Sequence, residues 1–140
     1  MRVLPLALTS LLLSACACPP PPEMKHAAPA VNSFCERRIG VPQPVSLSEL
    51  LANGHEYEGR AVSVSGYYSH GFEYSALYSD AGVDIYARDY TKGIWIDGLS
   101  PFFAEKEAHV LLTGVYTQKS GGHLARWPGS LCVVQMRPAS

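Results

Sequence analysis

The sequence predicts a small, mainly β domain whose strands curl into a closed barrel. Three observations carry that prediction. Short segments of alternating apolar and polar residues are separated by turn residues, the pattern of half-buried strands. A single helical signature is only about two turns long. Two of the strand segments share one spacing, V-x-[VL]-x-G-x-Y, with a glycine at the same place in each. A glycine inside a strand marks a bulge or a bend, and a closed barrel needs such bends where a strand passes from one side to the other.

The chain begins outside that domain. Arg2 supplies a positive start and Val3 to Leu13 an apolar run. The run is too short for a membrane span of about 20 residues and has the layout of an export signal over residues 1–15. Leu13-Ser14-Ala15-Cys16 resembles the lipobox of bacterial lipoproteins, where a signal peptidase cuts before the cysteine and the thiol is acylated. That resemblance implies lipidation of Cys16 and a protein held to a membrane by acyl chains, each buried CH₂ contributing about 0.8 kcal/mol. Ala17 in place of an aspartate implies the outer membrane, facing the periplasm. Residues 16–32 follow as a tether. Cys18-Pro19-Pro20-Pro21-Pro22 favours extended polyproline II, and the small polar residues after it do not build a core. A proline-rich ligand for a recognition module is the other reading of this segment.

About 120 residues remain once the signal is removed, enough for one domain and not two, and the folded domain is expected over residues 33–140 within them. Lys and Arg number 11 against 12 Asp and Glu, a net charge of −1. That balance argues against a nucleic-acid partner. Of the four cysteines, Cys16 is taken by lipid and Cys18 lies in the tether. Cys35 and Cys132 remain, and in an oxidising compartment they can bridge the first segment to the last strand. A reactive thiol or metal ligation are the alternatives, although neither a CxxC nor a regular Cys/His spacing occurs.

Ser46-Leu47-Ser48-Glu49 reads as a capping box. Ser46 accepts from the Glu49 amide and Glu49 reaches back to Ser46, with Val45 and Leu50 spaced as a hydrophobic staple. Asn53-Gly54 is expected to end the helix in a left-handed conformation. The first strand, Arg60 to Tyr68, turns Val62, Val64, Gly66 and Tyr68 to one face. After a Ser69-His70-Gly71 turn comes a second strand within Phe72 to Ser79. Asp80 to Thr91 reads as a loop or helical turn, and Gly93 to Asp97 as the third strand. Ser100-Pro101 can open a short helix. His109 to Gln118 and Ser130 to Met136 are the fourth and fifth strands.

Five strands, with a helix after the third and glycine-bent first and fourth strands, resemble the OB-fold, a five-stranded Greek-key barrel. The run VSLSELLANGHEYEGRAVSVSGYY, with IWI and GHLARWPGSLCVV, is also similar to small exported bacterial proteins carrying an OB-like domain. An open sandwich of similar strand content is the alternative.

Chemistry is sparse. GxSxG, SxxK and HExxH are absent, so no catalytic residue, cofactor or enzymatic activity is assigned. His55, His70, His109 and His123 are scattered and read as loop histidines, so no metal site is assigned. With Leu77, Ile94 and Ile96 inward, alternation turns Tyr74, Tyr78 and Trp95 outward, on the face OB-folds commonly use. Aromatics there can stack on sugars or peptide side chains, or the loop after them can fold over and make them minor core. His123, Arg126 and Trp127 lie in a glycine-rich loop before the last strand. In that loop Trp127 either covers a barrel end or belongs to a partner-contacting tip. The expected function is a lipid-anchored, non-catalytic periplasmic module that holds an envelope protein, peptide or glycan. The alternative is an inhibitor or immunity lipoprotein that blocks a periplasmic enzyme.

Overall fold

A computed structural model describes residue 35 and residues 38–83, 89–99 and 107–140. The export signal, the tether, Cys16 and the expected Ser100-Pro101 helix lie outside the described residues. The elements run β1 (Gln43–Pro44), α1 (Leu47–Asn53), β2 (Ala61–Gly71), β3 (Tyr74–Tyr78), β4 (Gly93–Asp97), β5 (Glu107–Thr117) and β6 (Ser130–Pro138). The strands form one six-stranded mixed sheet in the order β1-β2-β3-β4-β6-β5, and β2 pairs with β5 as well. β1–β2 and β4–β6 are parallel, and the other pairs are antiparallel.

Strand alternation sets the core. Val62, Val64 and Tyr68 from β2 meet Leu77, Ile94, Ile96, Val110, Leu112, Leu131 and Val133 in one cluster, which Leu47, Leu50 and Tyr57 close from the helical side. Each fully buried aliphatic side chain contributes about 1.5–3 kcal/mol.

The two glycine-bearing motifs lie side by side. In the β2–β5 register Val62 faces Gly114, Val64 faces Leu112 and Gly66 faces Val110. A Cβ on Gly66 would sit 2.6 Å from the Tyr78 carbonyl oxygen, next to Tyr67–Tyr78, where β3 joins the second edge of β2. Gly114 occupies a register shift between β5 and β6, and a Cβ there would run into the Cys132 carbonyl. Both glycines are therefore demanded by close backbone approach, and one of them sits at a bulge.

The helix begins as expected. Ser46 is extended, and its hydroxyl accepts from the Glu49 amide at 3.1 Å. The other half of the capping box is corrected. Glu49 turns its carboxylate to Asn53 Nδ2 at 2.9 Å and to the Tyr57 hydroxyl at 3.5 Å. The helix end is corrected too. Gly54 is right-handed, at φ −52°, and the chain tightens into a 3₁₀ turn over Gly54–Tyr57. The positive φ comes at Gly59, at 69°. Glycine is needed at 54 for space, because a Cβ would lie 2.6 Å from the Tyr116 hydroxyl. That hydroxyl donates to the Leu50 carbonyl at 3.4 Å, satisfying one of the helix's terminal acceptors. Next to this corner, Glu58 accepts from the Gln118 amide and the Thr117 hydroxyl, which hold its carboxyl below the usual range.

Strand boundaries move, most at the end of β2. β2 continues through Ser69-His70-Gly71, and the turn falls at Phe72-Glu73. Gly71 makes room for the Tyr74 ring across the hairpin. β1 was not expected. Gln43 and Pro44 pair with Val62 and Ser63, and the Val45 amide donates to the Ser63 carbonyl at 3.0 Å.

Cys35 and Cys132 form a disulfide with their Cα atoms 5.4 Å apart, across 97 positions of sequence. Gly98, at φ 88°, leaves the space that the Cys35 sulfur fills.

Candidate functional site

Alternation on β3 and β4 sends Leu77, Ile94 and Ile96 into the main core and leaves Tyr74, Ala76, Tyr78 and Trp95 on the opposite face. That face is not bare. The β5–β6 connection crosses it, tied down by a Gly121–Trp127 bridge and by the Trp95 amide donating to the Gly129 carbonyl at 2.9 Å. Gly122, at φ 73°, lies so close to both indoles that a Cβ would enter the Trp95 ring. Glycine is required here because the loop backbone rests directly on tryptophan.

Trp127 is delivered onto this face and does not cover the end of the sheet. It forms a second cluster with Ala76 and Tyr78, flanked by Tyr74, Val83, Tyr90 and Trp95. Its ring centroid lies 4.9 Å from that of Trp95, and Tyr90 meets it edge-on at 4.7 Å. Arg126 donates from Nη1 to the Tyr90 hydroxyl at 3.1 Å and lies over the same ring, 5.2 Å from its centre, a cation–π contact. Trp95 Nε1 donates to Asp97 Oδ1 at 2.7 Å, which fixes the indole in its plane. His123 Nε2 reaches Glu73 Oε2 at 3.5 Å, an ion pair when the imidazole is protonated, and so joins this loop to the β2–β3 turn.

The six residues singled out from sequence therefore meet in one region, with Tyr74, Tyr78, Trp95 and Trp127 in the cluster and Arg126 and His123 along its edge. Sequence reading placed Tyr90 only within a loop that can fold over this face, as Val83 and Tyr90 do, without its contacts to Trp127 and Arg126, and it missed Glu73. Both lie in connections without a periodic pattern, and only the path of the 121–129 loop reveals their role.

Burial pushes the Tyr78 phenol up, while the neighbouring Trp127 indole N–H works in the opposite direction. That N–H is buried, with Trp127 only 2 % exposed, yet it completes no hydrogen bond among the described residues. A donor held in that state loses interaction energy. Trp95, Tyr74 and Tyr90 are half-buried and Arg126 is exposed. The patch thus offers aromatic edges and one guanidinium, groups suited to binding a sugar, a peptide side chain or a carboxylate.

Two of the described histidines rest on tyrosine rings. His109 stacks on Tyr67 at 4.7 Å and His70 on Tyr68 at 5.6 Å. Among the described residues, no group of three or more His, Cys, Asp or Glu side chains gathers as a metal site. An open groove of ≈ 750 Å³, lined by Ser46, Ser63, Ser65, Ser79 and Arg137 among others, lies where α1 and β1 meet the sheet. It shares no lining residue with the aromatic patch. No family model, no curated protein and no solved structure matches this chain.

Proposed function

We propose that the chain is a lipid-anchored, non-catalytic binding module of the cell envelope, and that its domain is an OB-like barrel. The barrel reading is supported by a cycle of pairings. β2, β3, β4, β6 and β5 follow one another and β5 returns to β2, with β4 and β6 parallel. In this reading β1 is an addition to the outer edge of β2. The anchor reading rests on the Leu13-Ser14-Ala15-Cys16 motif and its position after an apolar run. An envelope protein, peptide or glycan is the partner class.

The observation that carries the binding function is the convergence of β3, β4 and the β5–β6 loop on one aromatic patch edged by Arg126. At its edge an exposed arginine lies over a half-buried tyrosine, a cation and a ring face that a ligand can share. Photo-crosslinking in cells tests this. A photoreactive residue at Arg126 should trap an adduct of discrete mass, and the same residue at Gln135, exposed on β6, should not. No adduct at Arg126, or the same adduct pattern at both positions, would overturn the reading.

A further inference from the structure

Among the described residues, three that are not glycine have positive φ: Glu73 at 63°, Leu124 at 59° and Ala125 at 51°. All three lie in two loop tips, the β2–β3 turn and the β5–β6 connection. Side chains with a Cβ avoid this conformation, and it persists only where the surroundings impose it. At these two tips the strain presents apolar side chains to solvent. Phe72 is 91 % exposed and Leu124 is 66 % exposed. The His123–Glu73 contact at 3.5 Å, an ion pair when the imidazole is protonated, brings the tips together, and Arg126 is an exposed cation in the same loop as Leu124.

We propose that the paired tips dock on a lipid bilayer, with Phe72 and Leu124 entering the boundary between headgroups and acyl chains and Arg126 on anionic headgroups. The inference rests on the lipid-anchor reading. From Cys16 to Cys35 the chain reaches at most about 65 Å at ~3.3–3.6 Å per residue, so an acylated domain stays confined within that distance of the membrane surface. At that effective concentration, two apolar side chains that would bind weakly from solution are enough to orient the domain. Two neighbouring tips, each with one large exposed apolar side chain and with Arg126 in the same loop as Leu124, suit a planar, deformable, anionic surface. The consequence is orientation. The aromatic patch, which shares His123 and Arg126 with the tips, faces a partner at the level of the headgroups.

The test uses the full acylated protein reconstituted in phosphatidylethanolamine–phosphatidylglycerol vesicles. Leu124→Trp and, independently, Phe72→Trp should each show blue-shifted emission over the parent protein. Each should also be quenched by lipids brominated near the headgroup at least twofold more than Gln135→Trp. Both tip positions are exposed, so neither variant threatens the fold. Vesicle flotation is read in parallel. Protein that floats while both tips stay solvent-like overturns the docking and leaves the anchor standing. Protein that does not float overturns both. Tips that become shielded only when envelope proteins are added would assign them to a protein partner and likewise overturn the proposal.

Discussion

Replacing Gly114 by valine is expected to lower stability by about 3 kcal/mol, near the top of the range for overpacking, measured by urea unfolding of the oxidised protein. The Cβ site is occupied by the carbonyl of Cys132, and backbone cannot rotate aside as a side chain can. The bulge between Thr113 and Gly114 would have to be lost, and with it the register that brings Val115 opposite Cys132. Because β5 also pairs with β2, the disturbance reaches both of its neighbours. Gly66→Ala should cost less, about 1–2 kcal/mol, since it meets one carbonyl and a leucine side chain that can shift. A loss below about 0.5 kcal/mol at Gly114, the size of an ordinary surface substitution, would contradict the placement of β5 against β6.

Removing the disulfide is expected to have an effect of the same order. Cys35 and Cys132 are 97 positions apart, and a loop of about 100 residues corresponds to ~4.7 kcal/mol in the chain-entropy account, with about 2–4 kcal/mol usual in practice. The double replacement Cys35→Ala, Cys132→Ala should therefore lower the Tm by at least about 8 °C, at roughly 4–8 °C per kcal/mol for a domain of this size. Reduced wild-type protein should melt with the double variant. Equal melting temperatures for oxidised, reduced and double-alanine protein would mean that the bridge does not restrain the unfolded chain. The bridge also holds Cys35 against Gly98 and β6.

The parts legible in the sequence were those in which one short segment contains its own cause. Val62-x-Val64 alternates, Ile94-Trp95-Ile96 alternates, and Ser46 caps with a hydroxyl only three residues from the amide it meets. The two glycine motifs were legible as strand features, and their mutual pairing followed from the fold. What escaped depended on distant neighbours. Gly54 was read as a helix stop, but its requirement comes from Tyr116, and Gly71 was read as a turn residue although the Tyr74 ring needs its space. β1 carries no alternation because it is two residues long and held by β2 alone. At the site, alternation identified Tyr74, Tyr78 and Trp95 as a face, and composition identified the 121–129 loop. Neither could show that the loop lies across that face, because that is decided by the Gly122 backbone resting on Trp95 and by Glu73 meeting His123.

Binding and membrane docking both presuppose where Cys16 ends up, and the intact mass of the mature protein extracted from membranes decides it. The account predicts a chain beginning at Cys16 that carries acyl mass and loses it when Cys16 is replaced by alanine. A mature chain without acyl mass, or one beginning beyond Cys16, would contradict it.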